Sequence, residues 1–314
     1  MKITPQTGRS IGATITDVDL RNLNAEESEA IKNAVYRHRV VTIKGQNLAP
    51  REFIAFGNTI GQVQIYPQKN YHHPDFPEIF VSSNVQRDGK KMGVDRTGGY
   101  WHTDTAFMPE PHIFTLLSPQ MLPRMRRTTL FIDMAAAYRN LPDDMRAILD
   151  RSTGLNSGRW HYKVRAEDVG TDIAEILATI DRVAPPARHP AVITHPVTGE
   201  KSLYMSSGFT IGLEGAGADT AGTLLPKLFE MIEAEENVQE AVWDLGDIIV
   251  WDNRLVCHRS GRLTEALGAT STDGENPDKT MMFRLTAFDS HPLSAGQEAR
   301  PSLNDEMQGL IAAS

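Results

Sequence analysis

Two short segments, far apart in a chain of 314 residues, constrain its fold more than any other feature: Trp101-His102-Thr103-Asp104 and Trp251-Asp252-Asn253-Arg254-Leu255-Val256-Cys257-His258. Together they offer two imidazoles and a carboxylate. In an extended strand residues i and i+2 point to the same side, so His102 and Asp104 can face one point. His258 can close the triangle from a neighbouring strand. Two His and one carboxylate on one face of a metal, with its other positions open, is the ligand set of non-heme Fe(II) oxygenases. The open positions are where a cosubstrate and O2 bind.

A lone His-x-Asp would carry little weight, because a chain with ten His and forty acidic residues contains such pairs by chance. The context adds weight. Both segments lie beside apolar, strand-like runs, Ile113-Phe114-Thr115-Leu116-Leu117 and Asp247-Ile248-Ile249-Val250-Trp251. A distal His just after the second run is what a rolled sheet needs to bring the chain back to the metal.

The remaining sequence narrows the class. The net charge is −8 with no basic stripe, which disfavours nucleic acid as a partner. The single Cys257 excludes an intrachain disulfide and fits a reducing compartment. It precedes His258, so in a strand it points to the opposite face and reads as packing rather than as a ligand. The first residues lack an apolar signal region and no run approaches about 18 apolar residues, so a soluble, cytoplasmic protein with no membrane partner is expected.

Along the chain, Asn24 with Glu27 forms a helix-capping pattern ahead of Ile31, Val35 and Tyr36. Val40–Ile43 reads as a buried strand. Pro50 opens a second helix that ends before Gly61. Residues 85–100, rich in Gly, read as a mobile loop. Thr129–Ile132 reads as a strand, and helices are expected from Pro142 to Leu149, near Ile173–Ile180 and over Thr223–Glu235. A hairpin is expected around His195–Glu200, and residues 268–279 read as a flexible insertion. Without internal repeats, many short strands broken by helices suit a single domain over 1–314, mainly β, of jelly-roll type.

The motif residues, followed by Phe283-Arg284-Leu285-Thr286, resemble the taurine dioxygenase family. The resemblance runs from Ile11 to Asp289. It implies a double-stranded β-helix, cupin-like in form, that binds Fe(II) through His102, Asp104 and His258 and uses 2-oxoglutarate and O2 as cosubstrates. One branch is closer, the oxidase/decarboxylases that make isonitriles from N-carboxymethyl-β-amino acids. The segments that resemble it are Tyr66–Pro74, Glu78–Asn84, Phe107–Pro111, Arg127–Asp133 and Tyr162–Asp168.

Thr129 matches a cosubstrate-binding position of the family, and Arg284 a carboxylate-binding one. Arg127, two residues before Thr129, is expected on the same side of its strand and matches an Arg of the isonitrile branch. Arg suits a carboxylate because its planar fork pairs both oxygens. Which of Arg127 and Arg284 holds 2-oxoglutarate and which holds substrate stays open. Tyr66, Tyr71, Lys163 and Arg165 match substrate-pocket positions, with Tyr71 and Lys163 as the catalytic pair. They suit a small molecule carrying carboxylate and amine groups. On composition alone these four would be loop aromatics and a solvated edge. His72, His73, His161, His189 and His195 have no ligand spacing and read as structural.

Two departures bear on the substrate. Pro67 stands where the isonitrile enzymes have a second consecutive Tyr, and Arg262 where they have a His. The reading is therefore an isonitrile-forming oxidase, with two alternatives: a hydroxylase of a sulfonate or amino acid, and an inactive metal-binding sensor on the same fold. A homo-oligomer is compatible with either.

Overall fold

The computed structural model describes residues 1–162, 168–265 and 278–298. The expected insertion falls, up to residue 277, outside the described residues. The chain opens with strands β1 (Lys2–Pro5) and β2 (Ala13–Thr16), helix α1 (Ala25–His38), strand β3 (Val40–Ile43), helix α2 (Pro50–Ile60) and strands β4 (Gln62–Gln64) and β5 (Phe80–Ser83). A small hairpin of β6 (Gln86–Arg87) and β7 (Lys90–Lys91) precedes two long strands, β8 (Phe114–Met121) and β9 (Met125–Asp133). Helices α3 (Met134–Arg139) and α4 (Asp143–Leu149) lead to β10 (Thr153–Asn156) and helix α5 (Ile173–Val183). Strands β11 (Ala187–Pro190), β12 (Val192–Thr194), β13 (Lys201–Leu203) and β14 (Thr210–Glu214) follow. Helix α6 (Ala218–Ile232) precedes β15 (Val238–Ala241), β16 (Ile248–Asp252), β17 (Val256–Glu265) and β18 (Met281–Phe288).

Two sheets matter for the site. The larger runs β1-β2-β3-β16-β8-β18-β4, with β5 also on β18, and the smaller runs β15-β9-β17. Phe131 and Val256 of the smaller sheet meet Val40, Ile249 and Trp251 of the larger in one buried cluster, so the sheets face each other. The outer face of the larger sheet packs against α1 and α2 through Ile31, Val35, Phe53 and Phe56. The outer face of the smaller sheet, with Leu130, Ile132 and Cys257, packs against α3, α4 and α6. This layering explains the sequence of β16: both of its faces are covered, so Ile248-Ile249-Val250-Trp251 is apolar throughout rather than alternating.

Local chemistry sets the helix starts. The Asn24 side chain accepts from the Glu27 amide at 2.9 Å while Glu27 accepts from the Asn24 amide at 3.2 Å, the expected reciprocal cap. Pro50 occupies the first turn of α2, where a missing N–H costs nothing. Two expectations need correction. Residues 85–100 are not simply loop: they contain the β6/β7 hairpin, and Val94 joins the edge of β5 through Ser82. Helix α6 begins at Ala218, ahead of the expected Thr223, and carries Pro226 inside it. Packing overrides the local breaker here, because Leu224, Leu228 and Ile232 form one buried face.

Between β16 and β17 the motif residues build a buried ionic clasp. Arg254, with none of its side chain exposed, donates to both oxygens of Asp289 at 2.6 and 2.8 Å and to the carbonyls of His291 and Pro292. Tyr36 of α1 donates to Asp289 at 2.8 Å. Asp252 receives the Arg254 amide at 2.8 Å and pairs with His195 at 2.8 Å. Removing one partner of such a pair strands the other charge. Arg254→Leu should therefore cost about 3–5 kcal/mol of folding stability, read as a lowered denaturant midpoint. A loss under about 1 kcal/mol would show that the clasp is dispensable.

Candidate metal centre

His102 and His258 are brought together by backbone, not by side chains. The His102 amide donates to the His258 carbonyl at 2.9 Å and the His258 amide returns the bond at 2.8 Å. The Ser260 amide donates to the Gly98 carbonyl at 2.7 Å. The segment from Gly98 to His102 thus lies along β17 as an irregular extra strand. Close approach requires Gly208 beneath it, because a Cβ there would come within 2.5 Å of the Trp101 carbonyl.

The three ligands converge. Asp104 Oδ1 lies 3.7 Å from His102 Nε2 and Oδ2 lies 3.6 Å from His258 Nε2. One ligand atom from each lies within 4.8 Å of the others, and all three residues are buried. His102 donates its Nδ1 hydrogen to the Tyr100 carbonyl at 2.8 Å, which leaves Nε2 as the ligating atom. His258 has no such partner for Nδ1 among the described residues and is held instead by the Trp251 ring at 4.7 Å.

Charge is arranged for a cation. Burial pushes the Asp104 carboxyl up, but the Arg284 guanidinium, the two imidazoles and the Thr115 hydroxyl outweigh it and hold it below the usual carboxylate range. Burial, then the neighbouring His102, pushes the His258 imidazole down to about 3. Burial lowers His102 as well. At neutral pH the site therefore presents one anion and two neutral nitrogen donors, the protonation state a divalent metal needs. The donor set fits Fe(II).

Asp104 is oriented by groups outside the triad. Arg284 donates to Oδ1 at 2.7 Å and Thr115 to Oδ2 at 2.8 Å. Asn253 donates to Thr115 at 2.9 Å, and Trp251 donates to Asn253 at 3.0 Å. Thr115 was not singled out by sequence, and no motif marks it: its only signal is a polar residue in an apolar strand run. Cys257 is buried on the opposite face, in the helix-side cluster, and burial raises its thiol, in keeping with a packing role.

The triad lies in a cavity of about 1190 Å³. Tyr66, Tyr71, Thr129, Arg127 and Arg284 all line it. Tyr66 packs edge-on against Tyr71 at 5.4 Å, Tyr71 stacks on Phe80 at 4.5 Å, and the Arg284 guanidinium sits 3.8 Å over Phe80. Lys163 and Arg165 fall outside the described residues. Arg127 does not share the burial of Thr129: it is exposed and donates to the Gly261 carbonyl at 3.0 Å. Opposite this part of β9 the register of β17 shifts between Ser260 and Leu263. Its neighbour Arg126, which the sequence reading passed over, is buried instead. Arg262 is at the exposed rim, paired with Glu235 at 2.8 Å. His72, His161 and His189 each meet a backbone carbonyl, His73 accepts from the Asp75 amide, and His195 pairs with Asp252.

A family model described as taurine catabolism dioxygenase TauD, TfdA family, matches residues 2–268. The chain belongs to the TauD/TfdA family. Among its relatives is an alpha-ketoglutarate-dependent 2,4-dichlorophenoxyacetate dioxygenase of Cupriavidus pinatubonensis, 30% identical over 80% of this chain and 88% of that one. A pentalenolactone F synthase of Streptomyces arenae is 27% identical over 82% of this chain and 89% of its own. A taurine dioxygenase structure from Burkholderia xenovorans superposes with a TM-score of 0.72 at 23% identity, over 100% of this chain and 99% of that chain. AAD-2, in complex with Mn(II) and N-oxalylglycine, gives 0.72 at 24% identity, over 93% of this chain and 100% of its own. The protein is thus an Fe(II)- and 2-oxoglutarate-dependent dioxygenase, an oxidoreductase acting on a small molecule with O2. Among the described residues no helix is long and apolar enough to cross a membrane.

His102→Ala or Asp104→Ala should abolish turnover and most Fe(II) binding, since a triad that loses one member no longer defines the metal geometry. Asp104→Glu should fail as well, because the added methylene moves the carboxylate. Thr115→Val should keep the fold and weaken metal affinity or activity by about 10–100-fold. Metal titration with turnover at limiting iron checks all of these, and wild-type values in the Ala variants would exclude the site.

Proposed function

We propose that the enzyme oxidises and decarboxylates an N-carboxymethyl-β-amino acid to an isonitrile. The observation that carries the reading is the cluster of Tyr66, Tyr71 and Arg284 on the cavity wall beside Asp104. It combines a permanent cation with two phenols next to the metal triad. Burial raises both phenols, so they stay protonated and act as hydrogen-bond donors to an anion. Substrate chemistry of a relative also supports it. 2,4-Dichlorophenoxyacetate carries a heteroatom–CH2–COO− unit, and the N-carboxymethyl group is its nitrogen counterpart. The two facing sheets are read as the halves of a double-stranded β-helix, in one domain.

Bound Fe(II), with 2-oxoglutarate and O2, supplies the oxidant. The chain's part is positioning. Arg284 holds the substrate carboxylate at the metal end of the cavity, and Tyr66 and Tyr71, with Lys163 and Arg165, orient the amine and the second carboxylate. The N–CH2 hydrogens then face the oxidant. Conversion of R–NH–CH2–COO− to R–N≡C removes the carboxylate as CO2 and the remaining hydrogens as water. It consumes about two equivalents each of 2-oxoglutarate and O2, giving succinate and CO2. Hydroxylation alone is the second reading, favoured by Pro67, which removes one phenol donor from the expected pocket.

Substrate labelled at the N-methylene carbon distinguishes the two. Label in an isonitrile is expected; label only in glyoxylate, or no consumption across a chain-length series, would overturn isonitrile formation in favour of the hydroxylase reading. Tyr71→Phe and Lys163→Ala should each retain 2-oxoglutarate decay while losing its coupling to substrate oxidation, measured as the succinate-to-product ratio. A ratio unchanged from wild type in both would remove these residues from the substrate site.

A further inference from the structure

We propose that the Tyr100 hydroxyl is a substrate-binding donor, a third phenol that holds the N-carboxymethyl carboxylate together with Tyr66 and Tyr71, a role that rests on the substrate class proposed above. Tyr100 lines the cavity with those two phenols. Among the described residues its hydroxyl makes no hydrogen bond, whereas its backbone carbonyl accepts from His102 Nδ1 at 2.8 Å. The side chain is therefore free to serve a ligand while the main chain serves the metal centre. A phenol O–H closed off from water by a bound ligand needs an acceptor, and a carboxylate supplies one.

The ring is held before any ligand arrives. It stacks on His161 with 3.2 Å between centroids and 8° between planes, and meets Phe209 edge-on at 5.7 Å. His161 is itself fastened to the Gly208 carbonyl at 2.9 Å. Gly208 lies directly against the ring, since a Cβ there would come within 2.5 Å of Tyr100 Cδ2. A donor fixed in this way costs little ordering when it binds.

Its place complements Arg284. The Tyr100 ring lies 5.0 Å from the His102 ring, while Arg284 donates to Asp104 at 2.7 Å, so the two flank different ligands of the triad. Tyr66, Tyr71, Asp104 and Arg284 are all near enough for their charges to act on the Tyr100 phenol. Arg284 has committed Nη1 to Asp104, and a carboxylate has room for several donors. Donors on two flanks fix the tilt of a carboxylate as well as its position. The adjacent N–CH2 carbon then has one orientation towards the metal.

The test is anaerobic calorimetry on the full chain loaded with Mn(II) and 2-oxoglutarate. The titrants are N-carboxymethyl-β-aminobutanoate and N-methyl-β-aminobutanoate, which lacks only the carboxylate in question. Wild type should bind the first more tightly. Tyr100→Phe keeps the ring and the carbonyl that orients His102. It should weaken the N-carboxymethyl ligand about tenfold to a hundredfold, with the N-methyl ligand, 2-oxoglutarate and Mn(II) all within about twofold of wild type. Unchanged affinity, or an equal loss for every ligand, would overturn the assignment, as would a wild type that does not prefer the N-carboxymethyl ligand. Product analysis separates this role from isonitrile formation. Tyr100-dependent binding without isonitrile keeps the carboxylate hold and removes the isonitrile; isonitrile with Tyr100-independent binding does the reverse.

Discussion

The reciprocal backbone pair between His102 and His258 is the contact on which the metal centre depends. It joins a Gly-rich approach segment to a strand far along the chain and sets two imidazoles on one side before any side chain takes part. Without it Asp104 would follow a loop of undefined path, and the three ligand atoms would have no common point. The bond from Ser260 to Gly98 extends the same seam along the cavity wall.

Around that seam the sequence motif divides its labour. Trp251, Asn253 and Thr115 form a chain of hydrogen bonds that ends on Asp104 and aims it. Asp252 and Arg254 turn away from the metal and lock the β16–β17 turn to α1 and to the segment after β18. A motif read as one functional unit is therefore two: one part orients a ligand, and the other closes the fold behind it. The ionic clasp is buried and closely paired, which suits a role in specifying the turn, where a merely apolar contact would allow slippage.

The cavity wall reverses the charge of the molecule. The chain as a whole carries −8, while Arg96, Arg126, Arg127, Arg259, Arg262 and Arg284 line the cavity against Asp95, Asp104 and Asp278. That reversal suits an anionic ligand such as the dicarboxylate cosubstrate. Arg284 is bonded to the metal ligand Asp104, while Arg126 lies buried on β9.

The sequence by itself determined the ligands and the family, because metal coordination demands particular residue types at short spacing and tolerates little else. His102, Asp104 and His258 were legible for that reason, as were the capped α1, the strand at Val40–Ile43 and the packing role of Cys257. Tertiary structure decided that Arg126 is buried while Arg127, also on the cavity wall, stays exposed, opposite the register shift in β17; nothing in the local sequence marks the difference. It also decided the contacts of Thr115 and Trp243, whose partners Asn253 and Thr129 lie far away in sequence. Alternation along one strand predicts a face only while the ladder is regular; where a partner strand inserts residues, the face is settled by the neighbour.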